Sequence, residues 1–141
     1  MNTEQIFNKY LRQAVKSVTE GVAEHARTHH EFTSRTGNLE RSIRSYQSQD
    51  GLTGYVLISR AWAAYGVYVH QGYKPFTIVP RNKKALRWVD GSKFVFAKRV
   101  RHPGYKGDPF LFNALEAKRK YIDMVFENRV EAAINEILKE M

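Results

Sequence analysis

With 141 residues, 43% hydrophobic content and no cysteine, the chain suits a single domain (1–141) around one modest core and excludes disulfide frameworks, thiolate zinc sites and cysteine nucleophiles. Lys and Arg number 23 against 14 acidic residues, a net +9 that attracts phosphate backbones or an acidic partner surface. No apolar run approaches the roughly 20 residues of a membrane span, and Met1-Asn2-Thr3-Glu4-Gln5 lacks the basic start and apolar stretch of a signal peptide, so the expectation is a protein made in the cytoplasm without membrane contact.

From Glu4 to about His29, Phe7, Leu11, Ala14, Val15, Val18, Val22 and Ala26 recur at three- and four-residue steps between polar residues, which predicts an amphipathic helix. Its length of roughly 40 Å is comparable to the width of the whole domain, and Gly21 is a weak point within it. The polar stretch Thr33 to Asn38 ends the helix, and Thr36 or Asn38 is placed to cap a short turn carrying Leu39 and Ile43 inward.

Two β-forming segments, Ile43 to Gln49 and Leu52 to Ser59, flank Asp50-Gly51, a dipeptide suited to a type I′ turn; a two-residue loop sets Ile43 against Ile58 and Tyr46 against Tyr55. Ala61 to Val69 reads as a short helix or turn. Gly72 to Arg81, with Pro75 and Pro80, reads as an extended loop running on to Lys84 and carrying Lys74, Arg81, Lys83 and Lys84. A second hairpin is expected around Asp90-Gly91, with Trp88 sharing a face with Val95, and Val89 sharing the other with Phe94 and Phe96. Neither face is purely polar, so one is expected to meet a neighbouring subunit. After a run dense in helix breakers, Asp108 suits the cap and Pro109 the first turn of a long C-terminal helix marked by Leu111, Leu115, Ile122, Phe126, Val130, Ile134, Ile137 and Leu138. The order predicts an α+β fold: an antiparallel sheet built from two hairpins, with long N- and C-terminal helices packed on it.

The chemistry is sparse. His25 and His29 stand four apart on the first helix, but no Glu follows His25 as a zinc protease requires, and the bland reading is histidines tolerated near a helix end. There is no phosphate-binding glycine loop and no nucleophile elbow, and no metal, cofactor or catalytic residue is expected. Two alternatives to a purely structural role remain. Lys74 to Arg101 interleaves cations with Phe76, Trp88, Phe94 and Phe96, as a nucleic-acid-binding module would; His102, Arg101, Tyr105 and the lysines near Lys83 could serve a small ribonuclease.

Three segments in this order resemble the neck or tail-completion proteins of long-tailed double-stranded DNA phages, a family of head-tail joining and minor tail components. Thr36-Gly37-Asn38-Leu39-Glu40-Arg41-Ser42-Ile43 is similar to Thr-Gly-x-Leu-x-x-Ser-Ile. Tyr65-Gly66-Val67-Tyr68-Val69-His70-Gln71-Gly72 is similar to Tyr-Ala-x-Tyr-Val-x-x-Gly, with Gly66 in place of alanine. His102-Pro103-Gly104, followed by Pro109-Phe110-Leu111, is similar to the family's entry into its last helix. The resemblance implies a non-enzymatic virion protein, assembled from the host cytoplasm into the neck or tail as a ring of about six identical subunits around the DNA channel, in contact with other neck and tail proteins. In that setting Gly37, Gly72 and Gly104 permit tight backbone paths, Leu39, Ile43, Tyr65, Tyr68, Phe110 and Leu111 anchor short elements to the sheet, and Ser42, Val69, Pro103 and Pro109 complete the motifs. The 72–84 and 102–108 loops are the expected subunit contacts, and Lys74, Arg81, Lys83 and Lys84 are the expected non-specific contacts to genomic DNA.

Overall fold

Helix α1 (Thr3–Thr28) forms where its apolar spacing predicts and opens on a capping box: Asn2 Oδ1 accepts the Gln5 N–H at 2.8 Å while Gln5 Oε1 accepts the Asn2 N–H at 3.0 Å. The computed structural model describes residues 1–80 and 85–141. Ile6, Ala14, Val15, Val22, Ala23 and Ala26 are buried along α1; Thr19 joins them because its hydroxyl donates to the Val15 carbonyl at 2.6 Å.

Gly37, left-handed at φ +76°, leads into α2 (Asn38–Ser42), which carries Leu39 and then Ile43 into the core. No side chain caps this short helix from its N-cap position; Thr36 Oγ1 accepts only a 3.3 Å bond from the Asn38 N–H. Strands β1 (Ile43–Gln47) and β2 (Gly54–Ile58) pair with Ile43 opposite Ile58 and Tyr46 opposite Tyr55, the predicted register. The turn differs from type I′. Gly51 alone has positive φ, its N–H bonds to the Ser48 carbonyl, and Asp50 Oδ1 accepts from the Ser48 hydroxyl and the Leu52 N–H, which holds Asp50 at negative φ. Arg12 Nε on α1 donates to the Asp50 carbonyl at 2.7 Å and fastens the tip to the helix.

Two short helices follow, α3 (Arg60–Ala63) and α4 (Gly66–Gln71). The predicted extended loop after Gly72 contains strand β3 (Phe76–Ile78), whose antiparallel partner is β6 (Val100–His102), with Phe76 opposite His102. Between them lie β4 (Leu86–Asp90) and β5 (Lys93–Ala97), the second predicted hairpin, with Trp88 opposite Val95 and Val89 opposite Phe94. Its turn is Gly91-Ser92, one residue beyond Asp90-Gly91; Gly91 at φ +64° followed by a residue of negative φ is the type II′ combination.

The α+β class holds, but the two hairpins do not share a sheet: β1–β2, β3–β6 and β4–β5 are separate two-stranded ladders. The last two are nested within a single excursion of chain from Tyr73 to Tyr105, which the Tyr73–Tyr105 bridge closes at its base. We call this excursion the arm. The C-terminal helix is two pieces, α5 (Phe110–Ala117) and α6 (Arg119–Glu140), with Lys118 between them at φ −94°, ψ 8°. Both pieces pack along α1, and α6 lies on α1 rather than on a sheet. Gly21, weak as a helix former, lies against the Tyr121 ring: an added Cβ would stand 2.8 Å from Tyr121 Cε1. Near the other end, Lys9 Nζ bonds both carboxylate oxygens of Glu136, at 3.0 and 2.9 Å.

Candidate interaction site

The three motifs of the resemblance, distant in sequence, meet in one place. Leu39 and Ile43 from α2 and β1, Ala63 from α3, and Phe110 and Ala114 from α5 form a buried cluster with Val22, Ala23, Ala26 and Phe32, against which Val69 and Leu111 pack partly buried. Phe110 is fully buried, with Phe32 edge-on at 5.0 Å and His70 edge-on at 5.1 Å. Ser42, also fully buried, donates its hydroxyl to the Leu39 carbonyl, and its own carbonyl accepts the Ser59 N–H at 2.7 Å, tying α2 to the end of β2. Gly66, where the family pattern has alanine, is buried with no room for a methyl: an added Cβ would stand 2.7 Å from Ile58 Cγ2 and 2.8 Å from Leu39 Cδ1.

Glycines also let the arm's two backbones cross at its base. Gly72 has φ +78° and ψ −179°, a region essentially confined to glycine, and an added Cβ would lie 2.4 Å from the Tyr105 carbonyl oxygen. Gly104 at φ +79° lies against the backbone of Tyr73 to Pro75, and Gly107 at φ +90° against that of Gln71 and Gly72. The Tyr73 and Tyr105 N–H groups bond each other's carbonyls at 2.8 and 2.9 Å, and the Asp108 N–H bonds the Val69 carbonyl at 2.8 Å.

Asp108 does not cap α5. It is buried, at 1% exposure, and its Oδ2 accepts the backbone N–H groups of Glu31 at 2.7 Å and Phe32 at 2.9 Å, while Pro109 takes the position before the helix with no side-chain cap. The carboxylate satisfies donors left orphaned just beyond α1 and so clamps that segment to the returning end of the arm. His70 is buried next to this clamp; burial holds its pKa below the usual histidine value, opposed in part by the Asp108 charge.

Tyr65 and Tyr68 correct the sequence expectation. They are 50% and 62% exposed and anchor nothing, because the inward side of the short α4 is taken by Gly66, Val69 and His70. Pro103 and Pro109 are exposed, and Leu111 is half-buried. Thr33 to Glu40, with Phe32, Tyr65 and Val69, line a cleft of ≈ 440 Å³ beside the cluster. In its wall Ser34 donates to Glu40 Oε2 at 2.8 Å, and His30 Nε2 lies 3.5 Å from Glu40 Oε1.

On the arm, Phe76, Phe94 and Phe96 are 46%, 59% and 65% exposed. The Arg87 guanidinium lies over the Phe94 ring at 4.8 Å, and His102 stacks on Phe76 with centroids 5.0 Å apart. Lys74 is exposed; Arg81, Lys83 and Lys84 lie outside the described residues. His102 Nδ1 accepts the Gly104 N–H at 3.0 Å, and burial, then the nearby Asp108 and Glu31, push the Tyr105 phenol pKa up. His25 and His29 stack in parallel at 4.1 Å, and burial lowers the His25 pKa. Among the described residues, no three His, Asp or Glu side chains stand close enough to hold a metal ion. The chain matches no family model, no curated protein and no solved structure.

Proposed function

We propose that the chain is a structural assembly subunit of a tailed phage, a neck or tail-completion component that joins head to tail or completes the tail end, working as a ring of identical subunits around the DNA channel. The observation that carries this reading is where the aromatic residues lie. Trp62 on α3, Tyr65 just before α4 and Tyr68 on α4, and Phe76, Phe94 and Phe96 on the arm, stand between 46% and 65% exposed, while the body behind them closes its own core without them. A domain that functions alone gains nothing from so many wet aromatic surfaces; a subunit that covers them with its neighbours, or with the DNA its ring encloses, does.

In this reading the arm and the α3–α4 segment are two different patches, as a heterologous ring contact requires. The reading assigns no catalytic step. No helix among the described residues is long and apolar enough to cross a membrane. The test is electron microscopy of an induced lysate lacking the gene, complemented by wild type or by Tyr65→Ser/Tyr68→Ser. Separated heads and tails without the gene, restored to joined particles by wild type and not by the double variant, support the reading. Normal infectious particles without the gene overturn it.

A further inference from the structure

The arm is also where the charge is. Of the 23 Lys and Arg, ten lie between Tyr73 and Lys106, where Asp90 is the single acid, so this segment carries a net +9. The other 13 cations face 13 carboxylates, so the rest of the chain is neutral. A basic excess spread over a solvated surface would mix acids into the arm as it does elsewhere; the segregation follows the boundary that the Tyr73–Tyr105 bridge draws to within one residue, Lys106 lying just beyond it. Lys74, Arg87, Lys93, Lys98, Arg99, Arg101 and Lys106 are all exposed, and among the described residues none of the seven forms an ion pair.

We infer that the arm is a nucleic-acid-binding element that grips a run of phosphodiesters through its cations without reading sequence. Three features favour nucleic acid over an acidic protein. Ten like charges against one acid are gathered within 34 consecutive residues, which costs self-repulsion unless a polyanion of regular charge spacing relieves it. Aromatic rings are exposed among the cations, a combination that suits stacked bases as well as phosphates. A two-stranded ribbon also has the dimensions to enter the major groove of a duplex. Besides Lys74, the exposed cations that the structure describes in this segment are Arg87 and Lys93 on the β4–β5 hairpin, Lys98 and Arg99 between β5 and β6, Arg101 on β6, and Lys106 just beyond the bridge. The inference does not depend on ring assembly, since it concerns a single chain.

The test is fluorescence anisotropy with labelled mixed-sequence DNA, as duplex and as single strand, titrated by the purified full chain over a range of salt. Lys98→Glu/Arg99→Glu/Arg101→Glu is compared with a body control, Lys16→Glu/Lys120→Glu/Lys139→Glu; each replaces three exposed cations and takes the net charge from +9 to about +3. The expected result is that affinity falls linearly with salt on a double-logarithmic plot, and that the arm variant is shallower by about 2.7, about 0.9 for each lost phosphate contact, while the body control keeps the wild-type slope. Phe94→Ala/Phe96→Ala distinguishes the two ligands. A loss of about tenfold or more confined to single strands marks stacked bases as part of the site; unchanged affinity for both marks duplex backbone. Circular dichroism checks that each variant is folded. Equal slopes for the two triple variants, absence of salt-dependent binding, or displacement of DNA by polyglutamate at equal charge concentration would overturn the inference, the last in favour of an acidic protein partner.

Discussion

Asp108→Ala removes the acceptor of two backbone donors, the Phe32 N–H, which is buried, and the Glu31 N–H, which is partly so. An orphaned buried donor costs roughly 1–3 kcal/mol, with bonds to a charged acceptor at the upper end. Water reaching Glu31 recovers part of its share, so the expected loss is about 3–4 kcal/mol. For a chain of this length that is about 9–12 °C in melting temperature, taking about 3 °C per kcal/mol. Asp108→Asn keeps one oxygen in the same place and sheds only the charge, with an expected cost of about 1–1.5 kcal/mol. Urea denaturation followed by circular dichroism measures both. If Asp108→Ala lies within about 1 kcal/mol of wild type, or if the asparagine variant is the worse of the two, the carboxylate is not the clamp described above.

Phe110→Ala, at a fully buried ring, should cost about 3–5 kcal/mol, whereas Tyr68→Ala should stay within about 0.5 kcal/mol of wild type and act only on assembly; the same denaturation series separates them. Gly72→Ala should destabilise by more than about 2 kcal/mol, because glycine-only backbone angles combine with a clash against a carbonyl oxygen; native-state hydrogen exchange should show the protection lost first at Tyr73 and Tyr105. Burial lowers the folded-state pKa of His70, so the unfolded chain takes up its proton first on acidification. Stability should then be complete above about pH 6.5 and decline below it, and His70→Gln should flatten that decline in melting temperature against pH.

The long elements were legible because their signals are repeated. Seven apolar positions outline α1, and each Asp-Gly dipeptide sits within two β-rich runs, which fixed both hairpins and the Ile43–Ile58 register. The β3–β6 pairing was not legible: three residues are too few to show a period of two, and Phe76 meets His102 only after the whole β4–β5 hairpin has intervened. The break at Lys118 has no glycine or proline to mark it, and the apolar spacing continues across it in register. Tyr65 and Tyr68 were read as anchors because an aromatic residue in a motif suggests a core; on so short a helix, the small Gly66 decides which side faces in. Asp108 stands where a helix cap would, and only the approach of Glu31 and Phe32, more than 70 positions earlier, shows its actual partners.

Because the two ends of the arm are hydrogen-bonded neighbours, the body experiences the 31 residues between them as little more than a turn. The entropy of closing such an excursion grows only with the logarithm of its length, so lengthening or shortening it by several residues changes stability by a few tenths of a kcal/mol. The molecule is therefore modular in an uneven way: mutations in the body are constrained by one shared core, while the excursion can be trimmed, extended or exchanged between relatives like an interchangeable tool head. A chain joining residue 73 to residue 105 through a two-residue turn would keep the same foundation and lose all but one unit of its net positive charge.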